Sequence, residues 1–361
     1  MAITYGKGVR PLPPPERTET LLPKEGVVRN VGEPVIAAYK GMERGVEQRK
    51  KIPEDVKINN PEERLFAVFD GVSGDMQGGG AIGSKVASEK AAKRLGASLD
   101  REVKNILSKV GSEQAAAYIE TQIQLAVREA HEELLLMEEA DPTLENKLLT
   151  TLSLAKLVEL PGRGKELFIA NVGDSRVYIL RKETGELEQV TQDDGFVAGL
   201  AAEGQVSAEE AEAIDQATDE ASLKQTVKNP LASFLFKNRN VVTQAVGARL
   251  EKGKQEKASM VPIIRIAVRP GDRLVITSDG VHDNALREHI KAAVLEKDPK
   301  NAEANLQNKA DALSQLSKNV YGRAKGELWA VQHMRRLFVF NVLDPDPGEE
   351  SAIDAENSGP T

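Results

Sequence analysis

The most constraining feature of this chain is a series of short apolar runs, each about four to eight residues long and mostly closed by Gly, Pro, Asp or Asn. Leu65–Phe69, Leu152–Val158, Leu167–Val172, Val177–Leu180, Leu187–Thr191, Ile263–Val268, Leu274–Thr277 and Leu337–Leu343 all read as strands. Leu167–Val172 and Val177–Leu180, joined by Gly173-Asp174-Ser175, read as a hairpin. Helical spacing takes over in Ala81–Leu95, where Gly83, Ala87, Ala91 and Leu95 share a stripe and Gly96 suits a C-terminal cap. It recurs in Ser112–Glu139, through Ile119, Ile123, Val127, Ala130 and Leu134. Further helices are expected after Asp283, through Ile290 and Val294, and over Ala304–Leu316. Grouped strands with helices between the groups predict an α+β fold of packed antiparallel sheets flanked by helices.

Residues 1–30, with Pro11 and the run Pro13-Pro14-Pro15, read as a disordered tail, as does the acidic stretch 344–361. A folded domain is therefore expected over 31–343. Within it, Gln205–Ser222 carries Glu209, Glu210, Glu212, Asp215, Asp219 and Glu220 without a basic residue, which reads as a solvated, helical insertion over about 205–230.

Composition then removes whole classes of function. None of the 361 residues is cysteine, so thiol nucleophiles, disulfide scaffolds and zinc fingers are out. A net charge of −8 with 4% aromatic residues argues against nucleic-acid binding. No apolar run is long enough to span a membrane and no signal-peptide pattern opens the sequence, so a cytoplasmic location is expected.

Two predicted strands run into the same dipeptide, Asp70-Gly71 and Asp279-Gly280. A carboxylate at a strand end sits on rigid backbone, and the following Gly lets the chain turn and offer a carbonyl. Hard cations such as Mg²⁺ and Mn²⁺ prefer these oxygens. Taken singly, an Asp-Gly pair is more often a turn. Asp283 follows Asp279 by four residues, and Asp174 lies in a turn after an apolar strand. Asp174 also suits an Asx-turn, and Asp283 or Asn284 a helix N-cap. The glycine cluster Gly78–Gly83 contains a GxGxxG pattern, but its context fits neither a dinucleotide fold nor a P-loop; it reads as a lead-in to a helix. His131 and His282 read as structural.

In order, the motifs are Asp70-Gly71, the glycine lead-in, Thr150-Thr151-Leu152-Ser153, Ala170–Leu180 (ANVGDSRVYIL), Val190–Gly204, Val241–Ala248 and Gly271–Asp283 (GDRLVITSDGVHD). This series resembles the metal-dependent serine/threonine protein phosphatases of type 2C. The resemblance implies a four-layer α-β-β-α sandwich and hydrolysis of phosphoserine and phosphothreonine in proteins at a Mg²⁺ or Mn²⁺ centre of two ions, with a weaker third. It implies that Asp70 bridges the ions, Gly71 supplies a carbonyl, Asp279 ligates, and Asp174 and Asp283 serve the third ion. Glu54 and Asp55 match second-ion ligands acting through water, and the acidic insertion sits where the family carries a variable flap. Phosphorylated proteins are the implied substrates; a further alternative is a regulator in which the acidic flap or the Pro-rich tail recruits a cognate Ser/Thr kinase.

The family's Arg-x-x-Asn-Glu-Asp reads here as Lys50-Lys51-Ile52-Pro53-Glu54-Asp55, making Lys50 and Lys51 the phosphate-binding candidates, with Arg44 and Arg49 beside them. The final acidic ligand falls on Glu327. The same departures also fit an alternative, a pseudophosphatase or regulatory scaffold that binds phosphoproteins without turnover.

Overall fold

The computed structural model describes residues 25–29, 36–40, 54–72, 79–217, 223–224, 226–249, 257–283, 285–295 and 337–341. The first half supplies strands β1 (Glu25–Arg29), β2 (Ile36–Lys40), β3 (Val56–Asn60), β4 (Leu65–Phe69) and the short β5 (Gly71–Val72). Helices α1 (Gly79–Leu95), α2 (Ala97–Lys109) and α3 (Ser112–Ala140) follow. Next come β6 (Leu149–Thr150), β7 (Leu152–Leu160), β8 (Gly164–Val172), β9 (Arg176–Leu180) and β10 (Leu187–Gln189). The remainder holds α4 (Phe196–Ala202), α5 (Ala208–Asp215), α6 (Ala232–Lys237), β11 (Ile264–Val268), β12 (Arg273–Thr277), α7 (Asp279–His282), α8 (Arg287–Leu295) and β13 (Leu337–Asn341). Among the described residues no helix is long and apolar enough to cross a membrane.

Two antiparallel sheets face each other. One has the order β1-β2-β13-β12-β9-β10 and the other β11-β8-β7-β4-β3, while β5 and β6 form a small ribbon. Side chains alternate across a strand, so a strand buried on both faces must be apolar throughout. LFAVF shows this. Phe66 and Val68 point between the sheets and meet Ile169, Val177, Leu274 and Ile276. Leu65, Ala67 and Phe69 point the other way, into a core with Ala87, Leu95, Ile123 and Val127 of α1 and α3. On the far side, Tyr178, Leu180 and Val275 pack against Ile290 and Val294 of α8. The result is the expected α+β, α-β-β-α layering. Each fully buried Leu, Ile, Val or Phe contributes about 1.5–3 kcal/mol relative to exposure.

Several expectations are corrected. The Leu167–Val172 and Val177–Leu180 strands are not a hairpin: β8 pairs with β7 and β11, whereas β9 pairs with β12 and β10. Gly173-Asp174-Ser175 instead carries the chain from one sheet to the other, with Gly173 at φ +99°. Gly96 is not a left-handed cap. It has φ −80° and opens α2, a helix absent from the sequence reading, and a Cβ there would come within 2.8 Å of the Ala92 carbonyl. The sheet also begins inside the expected 1–30 tail, at Glu25, because pairing with β2 outweighs the local composition.

The acidic insertion is not merely solvated. Val206, Ile214 and Leu223 are buried in an apolar cluster with Val197, Leu235 and Phe236. The expected helix Ala304–Leu316 lies outside the described residues.

Candidate active site

Strand register gathers the acidic residues. Val68 of β4 stands opposite Ser153 of β7, and Ser153 opposite Asn171 of β8. In the other sheet, Thr277 of β12 stands opposite Arg176 of β9. Asp70 is two residues past Val68 and Asp279 two past Thr277; Asp174 lies between Asn171 and Arg176 on the crossover. All three therefore leave the sheets at the same end of the sandwich. Asp55 joins them, because it lies one step beyond the Val56–Phe69 pair, and both it and Glu54 are buried. Gly71 has no room for a side chain. A Cβ would lie 2.6 Å from the Gly80 carbonyl carbon and 2.7 Å from the Glu54 Cβ, so the glycine lead-in of α1 presses directly on this turn.

A buried hydroxyl network fixes these strand ends. The Asp70 N–H donates to Thr151 Oγ1 at 3.1 Å, and the Asp70 carbonyl accepts from the Thr151 N–H at 2.8 Å and from Thr150 Oγ1 at 3.0 Å. Ser84 Oγ of α1 lies 3.0 Å from Thr150 Oγ1. Thr151 Oγ1 lies 2.8 Å from Ser175 Oγ, and Ser153 Oγ donates to the Ser175 carbonyl at 2.8 Å. Thus Thr150-Thr151-Leu152-Ser153 ties the Asp70 strand end to the Asp174 crossover. Satisfied networks of this kind rigidify the groups they hold.

Asp193 and Asp194 complete the support. The Gly173 N–H donates to Asp194 Oδ2 at 2.9 Å, and Lys257 Nζ donates to the same carboxylate at 2.8 Å. Arg176 forks onto Asp193, at 2.9 Å from Nε and 2.6 Å from Nη2. The sequence reading gave these residues no role, although the Asp193-Asp194 pair directly before a glycine was a visible signal.

Electrostatics mark the cluster as one unit. Burial, then the negative charges of Asp279, Asp70 and Asp283, push the Asp174 carboxyl well above the usual carboxylate range. Burial and Asp279 push Asp283 the same way, opposed by Arg239 and Arg176. Asp283 closes α7 rather than opening a helix, and Ser278 is the N-cap, so Asp283 does not have the capping role considered from sequence; Asn284 lies outside the described residues. His282 touches Thr277 Oγ1 through Nδ1 at 3.0 Å, and burial holds it neutral. His131 is likewise structural, its Nδ1 accepting the Gly247 N–H at 3.0 Å.

Clustered carboxylates suit a hard divalent cation, which would relieve their mutual repulsion, and the neighbouring His282 is committed to Thr277 through Nδ1. In this respect the residues fit Mg²⁺ or Mn²⁺. Among the described residues no three His, Asp or Glu side chains are arranged so that they could by themselves hold a metal ion. Glu327, Lys50, Lys51, Arg44 and Arg49 lie outside the described residues. The structure adds two neighbours that the sequence reading missed: Asn240, whose Nδ2 donates to Asp283 Oδ2 at 2.5 Å, and Arg239, stacked 4.0 Å over the Phe236 ring.

The chain matches the protein phosphatase 2C family over residues 55–317. It is 28% identical over 223 residues to the serine/threonine phosphatase stp of Listeria monocytogenes, covering 62% of this chain and 68% of that protein. Its fold is similar to the crystal structure of the Mycobacterium tuberculosis serine/threonine phosphatase PstP, with a TM-score of 0.55 at 23% identity, covering 85% of this chain and 97% of that one. A second PstP structure, of the catalytic domain in complex with 2 manganese ions, gives a TM-score of 0.53 at 22% identity, with the same coverage.

Proposed function

Because the chain belongs to the protein phosphatase 2C family, we propose that it hydrolyses phosphoserine and phosphothreonine esters in proteins. The observation that carries this reading is the convergence of Asp70, Asp174, Asp279 and Asp283, far apart in sequence, at one end of the sandwich. In this proposal Asp70, Gly71 and Asp279 hold two divalent ions, with Glu54, Asp55 and Glu327 completing their surroundings and Asp174 and Asp283 serving a third. The manganese in the PstP structure supports that assignment by analogy. When bound, such ions lower the pKa of water and neutralise charge on the phosphoryl oxygens.

The chain's own part is placement. Thr150, Thr151 and Ser175 hold the Asp70 and Asp174 backbones in register. Lys50 and Lys51 are the proposed phosphate contacts. Transfer is directly to water: the bond from phosphorus to the serine or threonine oxygen breaks as the water oxygen bonds to phosphorus. No covalent intermediate is needed, in keeping with a sequence without cysteine and with His131 and His282 committed to structural bonds. The domain in this reading runs from β1 to β13. A cytoplasmic setting and a partner Ser/Thr kinase are part of this proposal.

The test is release of phosphate from a phosphothreonine peptide with Mn²⁺. Asp70→Asn and Asp279→Asn should each lower kcat/KM by about a hundredfold or more, as loss of a group stabilising transition-state charge does. Full activity in both variants contradicts the proposal. Tight peptide binding without phosphate release is the outcome expected of a non-catalytic scaffold.

A further inference from the structure

The described residues between 196 and 240 (196–217, 223–224 and 226–240) form a unit that packs on itself. Val197, Val206, Ile214, Leu223, Leu235 and Phe236 make its core, and among the described residues that cluster includes no side chain from either sheet. Polar contacts join it to the body, concentrated at the C-terminal half of α5. Arg176, 7% exposed at the start of β9, holds Asp215 by two bonds, at 2.5 Å and 3.2 Å, while gripping Asp193. Arg287 reaches Glu212 at 3.0 Å, and its backbone N–H donates to Gln216 Oε1 at 3.1 Å.

These acids sit where a helix does not favour them. The C-terminal end of a helix carries partial negative charge, which disfavours Asp and Glu in its last turns. Helix α5 has no basic residue there. A local choice that opposes the element's own stability marks a position set by something outside the element. Here that is the Arg176 guanidinium, whose planar fork matches two carboxylates at once. At its other end the unit finishes on the acidic cluster, through the Asn240–Asp283 bond.

We propose that Arg176 and Asp215 form an electrostatic latch that sets the position of the 196–240 flap over the acidic cluster, making Asp215 a positioning residue for polypeptide substrates. A small phosphate ester needs only the cluster. A phosphorylated protein also lies across the flap, which exposes Leu231 and Phe234. The kinetic part of this inference rests on the phosphatase reading; the structural part does not.

The experiment compares the full-length wild-type chain with Asp215→Asn and Asp215→Glu. Backbone hydrogen exchange is read alongside steady-state kinetics on p-nitrophenyl phosphate and a phosphothreonine peptide. Asp215→Asn should speed exchange across 196–240 while β7 and β8 keep their protection. It should raise KM for the peptide roughly tenfold, a usual size of coupling between elements. It should leave kcat on the small ester within about twofold, well under 1.4 kcal/mol of barrier. Asp215→Glu, which keeps the charge, should recover part of the peptide KM. Should Asp215→Asn not fold, Arg287→Gln tests the half-exposed side of the same attachment by the same exchange readout. Wild-type exchange in the flap, or equal loss of kcat on both substrates, overturns the latch. A wild-type protein inactive on both substrates overturns the phosphatase reading and leaves exchange to decide the latch.

Discussion

Between the sheets, Phe66, Ile169, Val177 and Ile276 meet from strands spread across more than two hundred residues, whereas the flap gathers Val197, Ile214, Leu235 and Phe236 from one stretch, 196–236. Removing any strand of the first cluster exposes the others, so the sandwich should unfold as one body. The flap core is local and its joints to the body are charged, so it should open by itself at a lower free energy. The acidic cluster lies where the two regions meet, fixed from below by the hydroxyl network and touched from above by Asn240.

The largest expected effect lies in the sandwich. Ile169→Ala should cost about 2–5 kcal/mol of global stability, by lost transfer free energy plus a cavity. Urea unfolding followed at β7 and β8 amides should show one transition shifted as a whole; a separate early transition within those strands would break the picture of a single cooperative body. Leu235→Ala comes next. Exchange in 196–240 should lose about 2 kcal/mol of protection, with β7 and β8 changed by less than about 0.5 kcal/mol. Equal loss in both regions would mean that flap and sandwich open together.

The smallest effect concerns the cluster and has a definite sign. Asp174 has a raised pKa in the folded state, so the folded protein holds this proton more tightly than the unfolded chain. Its contribution to stability is complete below the ordinary carboxylate value, about 3.9, and is lost as pH rises from there through the raised folded value. In EDTA at neutral pH, Asp174→Asn should therefore raise Tm, and the gain should fade as the solution is made acidic. A lowered Tm under those conditions would mean that burial and like charge do not govern this residue.

The sandwich was largely legible from sequence because its strands obey one local rule. LFAVF, and the LFIA and LVI stretches of β8 and β12, are apolar throughout since both faces are covered, and 29-residue α3 shows its stripe over many turns. What escaped was decided by distant partners. A three-residue link reads as a hairpin until β9 is seen to pair with β12 rather than β8. Helix α2 hid behind a glycine read as a terminus, although Leu99 and Val103 are both buried. In the flap, the acids around Ile214 concealed a core, and nothing near Asp215 in sequence announces Arg176, 39 residues away. Asp70, Asp174, Asp279 and Asp283 could be singled out in advance because they stand at strand ends or in the short segments that follow them, but only the family resemblance, not their spacing, grouped them as one site.

That shared end is the central claim, and calorimetric titration of the metal-free wild-type protein with Mn²⁺ tests it most directly, with Asp70→Asn and Asp279→Asn titrated beside it. The account predicts at least two ions bound by the wild type and loss of at least one in each variant. No binding by the wild type, or binding unchanged in both variants, would contradict it.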